Sequence, residues 1–418
     1  MEKELFRAII AENQEYIGRI PLVQRPLDLE EYGNYVFVGV RQAGKSYLLY
    51  QRIQQLLANG VEIENIVYVN FDDERLQGMS VTDFDLILQA YHSMYDSQPI
   101  FFFDEIQNVE GWANFARRLA NQKHRVYITG SNAKMLSRDI ETVLGGRYLD
   151  ISVFPYSFSE YLKAVGVLLS KNWQYGRKAN ELQRHFRTYF DWGGFPELVH
   201  FQEKRVWLNS LYNRIFFNDL VVRHKIKNED ALRLCVRRLA ESVKQPCSLN
   251  RLSNLIKATG TPCSPSTVME YVRYLQESCL LISIDNYVSK FVEKETIKKH
   301  YFVDNGLLHL FINNPNTSLL ENLCAITLYK KYAKGLYYYN KNIEVDFYVP
   351  DEGLAVQASY QMSDGETIER EVKALVALHG LHPLKRAMII TYEDEGEIVR
   401  DGLRIEIKPA WKWVLEGL

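Results

Sequence analysis

An α/β fold with a parallel sheet is the class predicted for the first 155 residues of this 418-residue chain. Three observations predict it. Four apolar runs, YVFVGV, NIVYVNF, PIFFFDEI and RVYITGS, recur at regular intervals. Each of the first three is followed by a helical pattern, the clearest being SYLLYQRIQQLLANG and WANFARRLANQ. The runs are nearly continuous in β-branched and aromatic residues, as strands covered on both faces must be.

The remaining elements follow in order. The opening MEKELFRAIIAENQEYIGRI carries Glu2, Glu4 and Glu12 within a helical pattern, so no secretion signal is expected there. Residues 1–155 are expected to form the nucleotide-type α/β domain. Residues 156–225 turn helical and aromatic, broken by Gly193, Gly194, Phe195 and Pro196, and predict a helical subdomain. Residues 226–295 hold three short helices and the run LLISI. From 296 to 418 strands and helices mix again, predicting a further α/β domain.

Composition narrows the function classes without choosing one. The 50 basic and 52 acidic side chains nearly cancel, so the whole-molecule field argues neither for nor against a polyanionic partner. The five cysteines show no CxxC spacing and no zinc pattern with the nine histidines, which predicts buried thiols in a reducing, cytoplasmic setting and no structural metal. No apolar run reaches the ~18 residues of a membrane span.

Gly39 to Ser46 reads GVRQAGKS, a full match to GxxxxGK[ST] between a strand and a helix. The spacing has a mechanical reason. Gly39 and Gly44 let the backbone curl so that the N–H groups of Val40, Arg41, Gln42 and Ala43 can face phosphate oxygens, helped by the positive end of the helix that opens at Lys45, Ser46 and Tyr47. Lys45 would reach the β and γ phosphates, and the Ser46 hydroxyl would hold Mg²⁺. The partner of such a loop is a buried strand ending in acid, and PIFFFDEI supplies Asp104 for the metal and Glu105 for the attacking water. Ser131 and Asn132, ending RVYITGSN, are placed level with those acids, where they could bond a γ-phosphate. Arg147, after two glycines, is a candidate finger acting within the chain or across a subunit interface.

With these residues in view the chain resembles the prokaryotic AAA-type P-loop ATPases fused to a C-terminal DUF 4143 domain of restriction-endonuclease-like appearance. The resemblance rests on GVRQAGKS, YVNFDDERL, FFFDEIQNVEGW, YITGSNAKML, LGGRYLDISVFPYSFSEYL, WGGFPELV, YFVDNGLL, LLENL, EVDFYV and IKPAWKWVLEG, spread along the whole chain. It implies an AAA-type sheet with an additional strand, ATP with Mg²⁺, a winged-helix segment and a nuclease-like C-terminal fold.

Two regions bear on nucleic acid. Residues 223–257 contain nine Lys or Arg against three acids, a local excess that suits phosphate contact. Ser248 caps LNRLSNLIKATG, Gly260 ends it and Pro265 opens STVMEYVRYLQES, a helix-turn-helix with LLISIDNY as its wing. In the second helix Val268, Val272, Leu275 and Cys279 form the expected buried stripe. The exposed face, with Glu270 and Arg273, is a mediocre base reader, so DNA binding and a packing role both stay open. In the C-terminal part Glu321, Asp346 and Gln357 fall in the order of a restriction-type metal site, but Ser359 stands where its lysine belongs. Binding without cleavage is expected there.

The leading expectation is an ATPase whose hydrolysis moves the helical parts. A nucleotide-gated binding module with negligible turnover is the alternative, and an ATP-regulated nuclease a third. DNA, an unidentified protein and further copies of the chain are the partners considered, with no membrane.

Overall fold

The computed structural model describes residues 1–131, 140–362 and 365–417. They divide into two compact units: residues 1–154 with 277–279, and residues 155–276 with 280–418.

The first unit is built on five strands, β1 (Tyr35–Val38), β2 (Ile66–Asn70), β3 (Ile100–Asp104), β4 (Arg125–Gly130) and β5 (Leu149–Ser152), in the order β2-β3-β4-β1-β5. Every pairing is parallel. The period of two sorts its side chains. Val36, Val67, Val69, Phe101, Phe103, Val126 and Ile128 join a core with Phe6, Ile9 and Ile10 of helix α1 (Lys3–Tyr16), Ile87 of α3 (Phe84–His92) and Phe115 of α4 (Trp112–Asn121). The opposite parity carries Tyr68, Phe102, Asp104, Tyr127 and Thr129. That face receives α2 (Lys45–Ala58), whose Arg52 donates from Nε to the Tyr127 hydroxyl at 3.1 Å. The polar residues at the C-terminal ends of β3 and β4 thus fall on the side where α2 begins.

The second unit contains one nine-stranded sheet. Its strands are β6 (Cys247–Ser248), β7 (Leu281–Asn286), β8 (Ile297–Phe302), β9 (Tyr337–Asn340), β10 (Glu344–Val349), β11 (Leu354–Ala358), β12 (Arg386–Thr391), β13 (Gly396–Arg400) and β14 (Leu403–Pro409). The order is β13-β14-β12-β11-β10-β9-β7-β8-β6. The hairpin β13–β14 is an element the sequence pattern does not announce, because GEIVR has little apolar content and is largely exposed. The strands on either side of the expected boundary at 295, β7 and β8, pair antiparallel from Leu281↔Phe302 to Ile284↔Lys299. Ser248 caps helix Leu249–Lys257 by accepting from the Arg251 amide, and Pro265 begins helix Pro265–Glu277. Val268, Val272 and Leu275 are buried as expected, joined by Tyr271. Cys279 does not belong to that stripe: it lies past the helix end with a positive φ of 57°, where the chain turns away from the helical period.

On β8, His300 is buried and its Nδ1 lies 2.7 Å from the Ser283 hydroxyl. Burial, with a smaller contribution from the Lys298 charge, pushes its pKa down to about 4. An unfolded histidine titrates near 6.5, so in acid the unfolded chain takes up this proton first. The neutral imidazole's contribution is complete above about pH 6.5 and is lost as pH falls through about 4, on the order of 3 kcal/mol. His300→Gln is expected to lose less urea stability than the wild type between pH 7 and pH 4.5. Equal losses in the two proteins would refute this assignment.

Among the described residues no helix is long and apolar enough to cross a membrane. All five cysteines are free thiols, four of them buried.

Candidate nucleotide site

Residues 39–44 leave β1 and turn into α2. Gly44 has φ 93°, which glycine accepts without cost, and Gln42 takes a positive φ of 62°. Gly39 has a different reason from the one expected. A Cβ there would stand 2.0 Å from the Val153 carbonyl oxygen, so it is the close pass of the chain leaving β5, not the curl of the loop, that requires glycine. Arg25 braces the turn from outside, donating to the Ala43 carbonyl at 3.1 Å and the Phe154 carbonyl at 3.0 Å.

Lys45 is buried, its ammonium donating to the carbonyls of Gly39 at 3.1 Å and Val40 at 3.2 Å. It also lies 3.5 Å from Glu105 Oε1. Glu105 itself has left-handed backbone, φ 52° and ψ 41°, unusual for a residue with a Cβ. That turn swings its amide to Thr129 Oγ1 at 2.9 Å, while Gln107 donates to its Oε2. Burial opposes ionisation of Glu105, but Lys45, Gln107 and Arg41 together hold its carboxylate below the usual range.

Asp104 is held differently. Its Oδ2 accepts from the Tyr68 hydroxyl at 2.7 Å and its Oδ1 from the Thr129 hydroxyl, with the Ser46 hydroxyl a third partner. Burial and then the neighbouring Glu105 charge raise its pKa, against the pull of those three hydroxyls. The two adjacent acids are thus pushed in opposite directions. The Ser46–Asp104 contact brings one hydroxyl and one carboxylate together, a hard-oxygen pair that suits a cation keeping most of its own water, as Mg²⁺ does. Among the described residues no group of three or more His, Cys, Asp or Glu is arranged to hold a metal.

A family model described as an AAA domain matches residues 32–162, and one described as a domain of unknown function (DUF8612) matches residues 183–318. The protein named MJ1544 of Methanocaldococcus jannaschii, itself described as uncharacterized, is 31% identical over 434 residues, spanning 99% of this chain and 96% of that one. The chain belongs to the family of MJ1544. An uncharacterized protein of Haemophilus influenzae is 30% identical over 393 residues, spanning 91% of this chain and 94% of that one. A solved structure titled as the Walker-type ATPase PABY2304 of Pyrococcus abyssi covers 74% of this chain and 95% of its own at 12% identity, with a TM-score of 0.43. The second family model is DUF8612, not the expected DUF 4143, and its match takes in the WGGFPELV and YFVDNGLL motifs.

In this AAA-domain protein the remaining expected site residues are dispersed. Ser131 is buried and within 3.4 Å of Gln107 Nε2, so it stands beside Glu105 through that amide. Asn132 lies outside the described residues. Tyr47 is exposed, its ring edge-on to Tyr50 at 5.5 Å. Arg147 is not brought to the loop. It precedes β5, whose Leu149 pairs with Tyr35 at the start of β1, and its guanidinium bonds Asn121 Oδ1 at 2.7 Å at the end of α4. Arg147 stands two residues before Leu149 and the loop opens four after Tyr35, so at about 3.3 Å rise per strand residue the two are about 20 Å apart, at opposite ends of the strands. The within-chain finger is therefore ruled out by sheet polarity. Thr129, Tyr68, Gln107 and Arg25 are the site residues that sequence reasoning missed. The signal available for the first was the polar residue interrupting RVYITG.

Proposed function

We propose that the protein binds Mg·ATP at residues 39–46 and hydrolyses it with water polarised by Glu105. The observation that carries this reading is the joint placement of Lys45, Ser46, Asp104 and Glu105 around one point, with Thr129 bonding both acids. Lys45 and the loop amides would hold the β and γ phosphates, and Ser46 and Asp104 the Mg²⁺, which supplies charge neutralisation on the phosphates. Ser131 sits where a hydroxyl could sense the γ-phosphate. Arg147 can serve as a finger only from a neighbouring subunit, which makes a homo-oligomer part of this reading.

A nucleotide-gated module with negligible turnover is favoured by the same remoteness of Arg147, because a lone chain lacks that cation at its site. We read the helices 229–241, 249–257 and 265–277 with β7 and β8 as the winged-helix segment, and the C-terminal sheet as a restriction-endonuclease-like fold kept for binding. DNA contact by the basic segment has fewer cations to draw on than its composition suggests. Arg223 pairs with buried Asp219, Arg238 with Glu241, and Arg233 lies over the Phe216 ring at 4.0 Å. Arg237 and Lys244 are exposed but face Glu241 and Thr317, so exposed Lys225, Lys227, Arg251 and Lys257 are the ones assigned to phosphates. A cytoplasmic location fits the free thiols.

Steady-state phosphate release from Mg·ATP, with and without duplex DNA, tests the reading. The wild type is expected to release phosphate, Lys45→Ala to fall to background, and DNA to accelerate the wild type. Nucleotide binding without release above the variant would replace hydrolysis with the gated module.

A further inference from the structure

The restriction-type reading of the second unit implies a divalent metal held by Glu321, Asp346 and Gln357, and the geometry at those residues does not fit one. Glu344 and Asp346 alternate on β10, and Lys299 and Tyr301 alternate on β8, so each pair faces one side of the sheet. Glu321 comes from helix Asn316–Tyr332. The Lys299 ammonium lies between the carboxylates, 3.0 Å from Asp346 Oδ1, 3.2 Å from Glu321 Oε1 and 3.3 Å from Glu344 Oε1. Its side chain is fully buried. The ammonium donates hydrogen bonds to Glu321 and Asp346, and Glu344 lies within ion-pair reach of the same nitrogen.

Four of the five side-chain oxygens these residues offer a metal, all but Glu321 Oε2, are engaged as well. Asp346 Oδ2 accepts from the Ala358 amide at 3.1 Å, and Glu321 Oε1 accepts a second bond from the Tyr301 hydroxyl at 2.8 Å. Gln357 Oε1 accepts from the Asp346 amide at 2.7 Å, and its Nε2 donates to the Glu344 carbonyl at 3.1 Å. A cavity of about 800 Å³ opens over Glu321, Asp346, Gln357 and Ser359, with Lys299 behind them. A metal entering from the cavity would meet a fixed positive charge about one ligand shell away and carboxylate oxygens already turned toward it.

We propose that Lys299 is a permanent internal cation standing in for the divalent metal of this site, so that the cavity above Glu321 and Asp346 is metal-independent and cleaves no phosphodiester by metal-activated water. The lysine absent at Ser359 is thus not restored by Lys299. Lys299 comes from another strand, and it neutralises the acids instead of facing the cavity.

Mn²⁺ uptake by the full chain, read as loss of the free-ion paramagnetic resonance signal, tests this. Asp346 lies outside the nucleotide site, so a comparison at that residue is insensitive to any metal held near Ser46. Wild type and Asp346→Asn are expected to take up equal Mn²⁺. Lys299→Met is expected to gain one equivalent per chain, lost again in Lys299→Met/Asp346→Asn, and to melt at a higher temperature when Mn²⁺ is added. Greater uptake by wild type than by Asp346→Asn would overturn the proposal, and this comparison decides even if Lys299→Met does not fold. A folded Lys299→Met that gains no metal would overturn it too.

Discussion

Glu105→Gln is expected to cut steady-state phosphate release from Mg·ATP by about 10²–10⁴-fold, the span general-base positions usually command, while nucleotide affinity changes little. The expectation follows from how the carboxylate is held. The left-handed turn at Glu105, the Thr129 bond to its amide and the Gln107 bond to its Oε2 fix its position independently of ligand. Lys45, 3.5 Å away, keeps it ionised despite burial. A carboxylate held below its usual range abstracts a proton weakly, so in the proposed hydrolysis it would serve to orient the attacking water and accept its hydrogen bond. Glutamine has the same shape and no charge, so it should leave Lys45 freer to meet phosphate. Phosphate release and the fluorescence of a labelled ATP analogue, measured on the same preparation, separate rate from affinity. A variant that turns over within twofold of wild type would remove Glu105 from the mechanism.

The second large effect is structural. Gly193→Ala is expected to destabilise the second unit by about 4 kcal/mol or more, the range reserved for steric and backbone failures. Gly193 has φ 76° and ψ −163°, a region essentially closed to residues with a Cβ. A Cβ there would also lie 1.9 Å from Asp304 Oδ1. Asp304 cannot step aside, because its carboxylate accepts from the amides of Gly194 and Gly306, both at 2.8 Å, and is buried deeply enough to raise its pKa to about 6 despite those amides. The motifs WGGFPELV and YFVDNGLL are thus two halves of one joint. Gly380→Ala is the control: a Cβ there meets nothing within 4 Å, and a helical site gains up to about 1 kcal/mol from alanine. Hydrogen exchange of helix 176–192 reads both variants. Unchanged protection in Gly193→Ala would show that the joint can relax.

What was legible in the sequence was whatever depends on spacing along the chain. GVRQAGKS, the acids after PIFFF and the strand–helix alternation each sit within about ten residues, and each is found where expected. What was not legible depends on register between strands. Thr129 matters because β4 lies between β1 and β3, and nothing near residue 129 states that order. Arg147 looked like a finger because it follows two glycines; only the parallel pairing of β5 with β1 shows which end of the strands it occupies. Lys299 reads in IKKHYF as one of two lysines on a surface strand, since its three acids lie 22 to 47 residues away.

The continuity of the nine-stranded sheet limits how this protein can be taken apart. A fragment ending at 295 would keep β7 and discard both its neighbours, β8 and β9, leaving a strand of alternating apolar residues with two raw edges. Such edges recruit other chains, so the fragment should precipitate or pair with copies of itself. The same ladder joins β6, in the basic segment, to β8, the strand that carries Lys299.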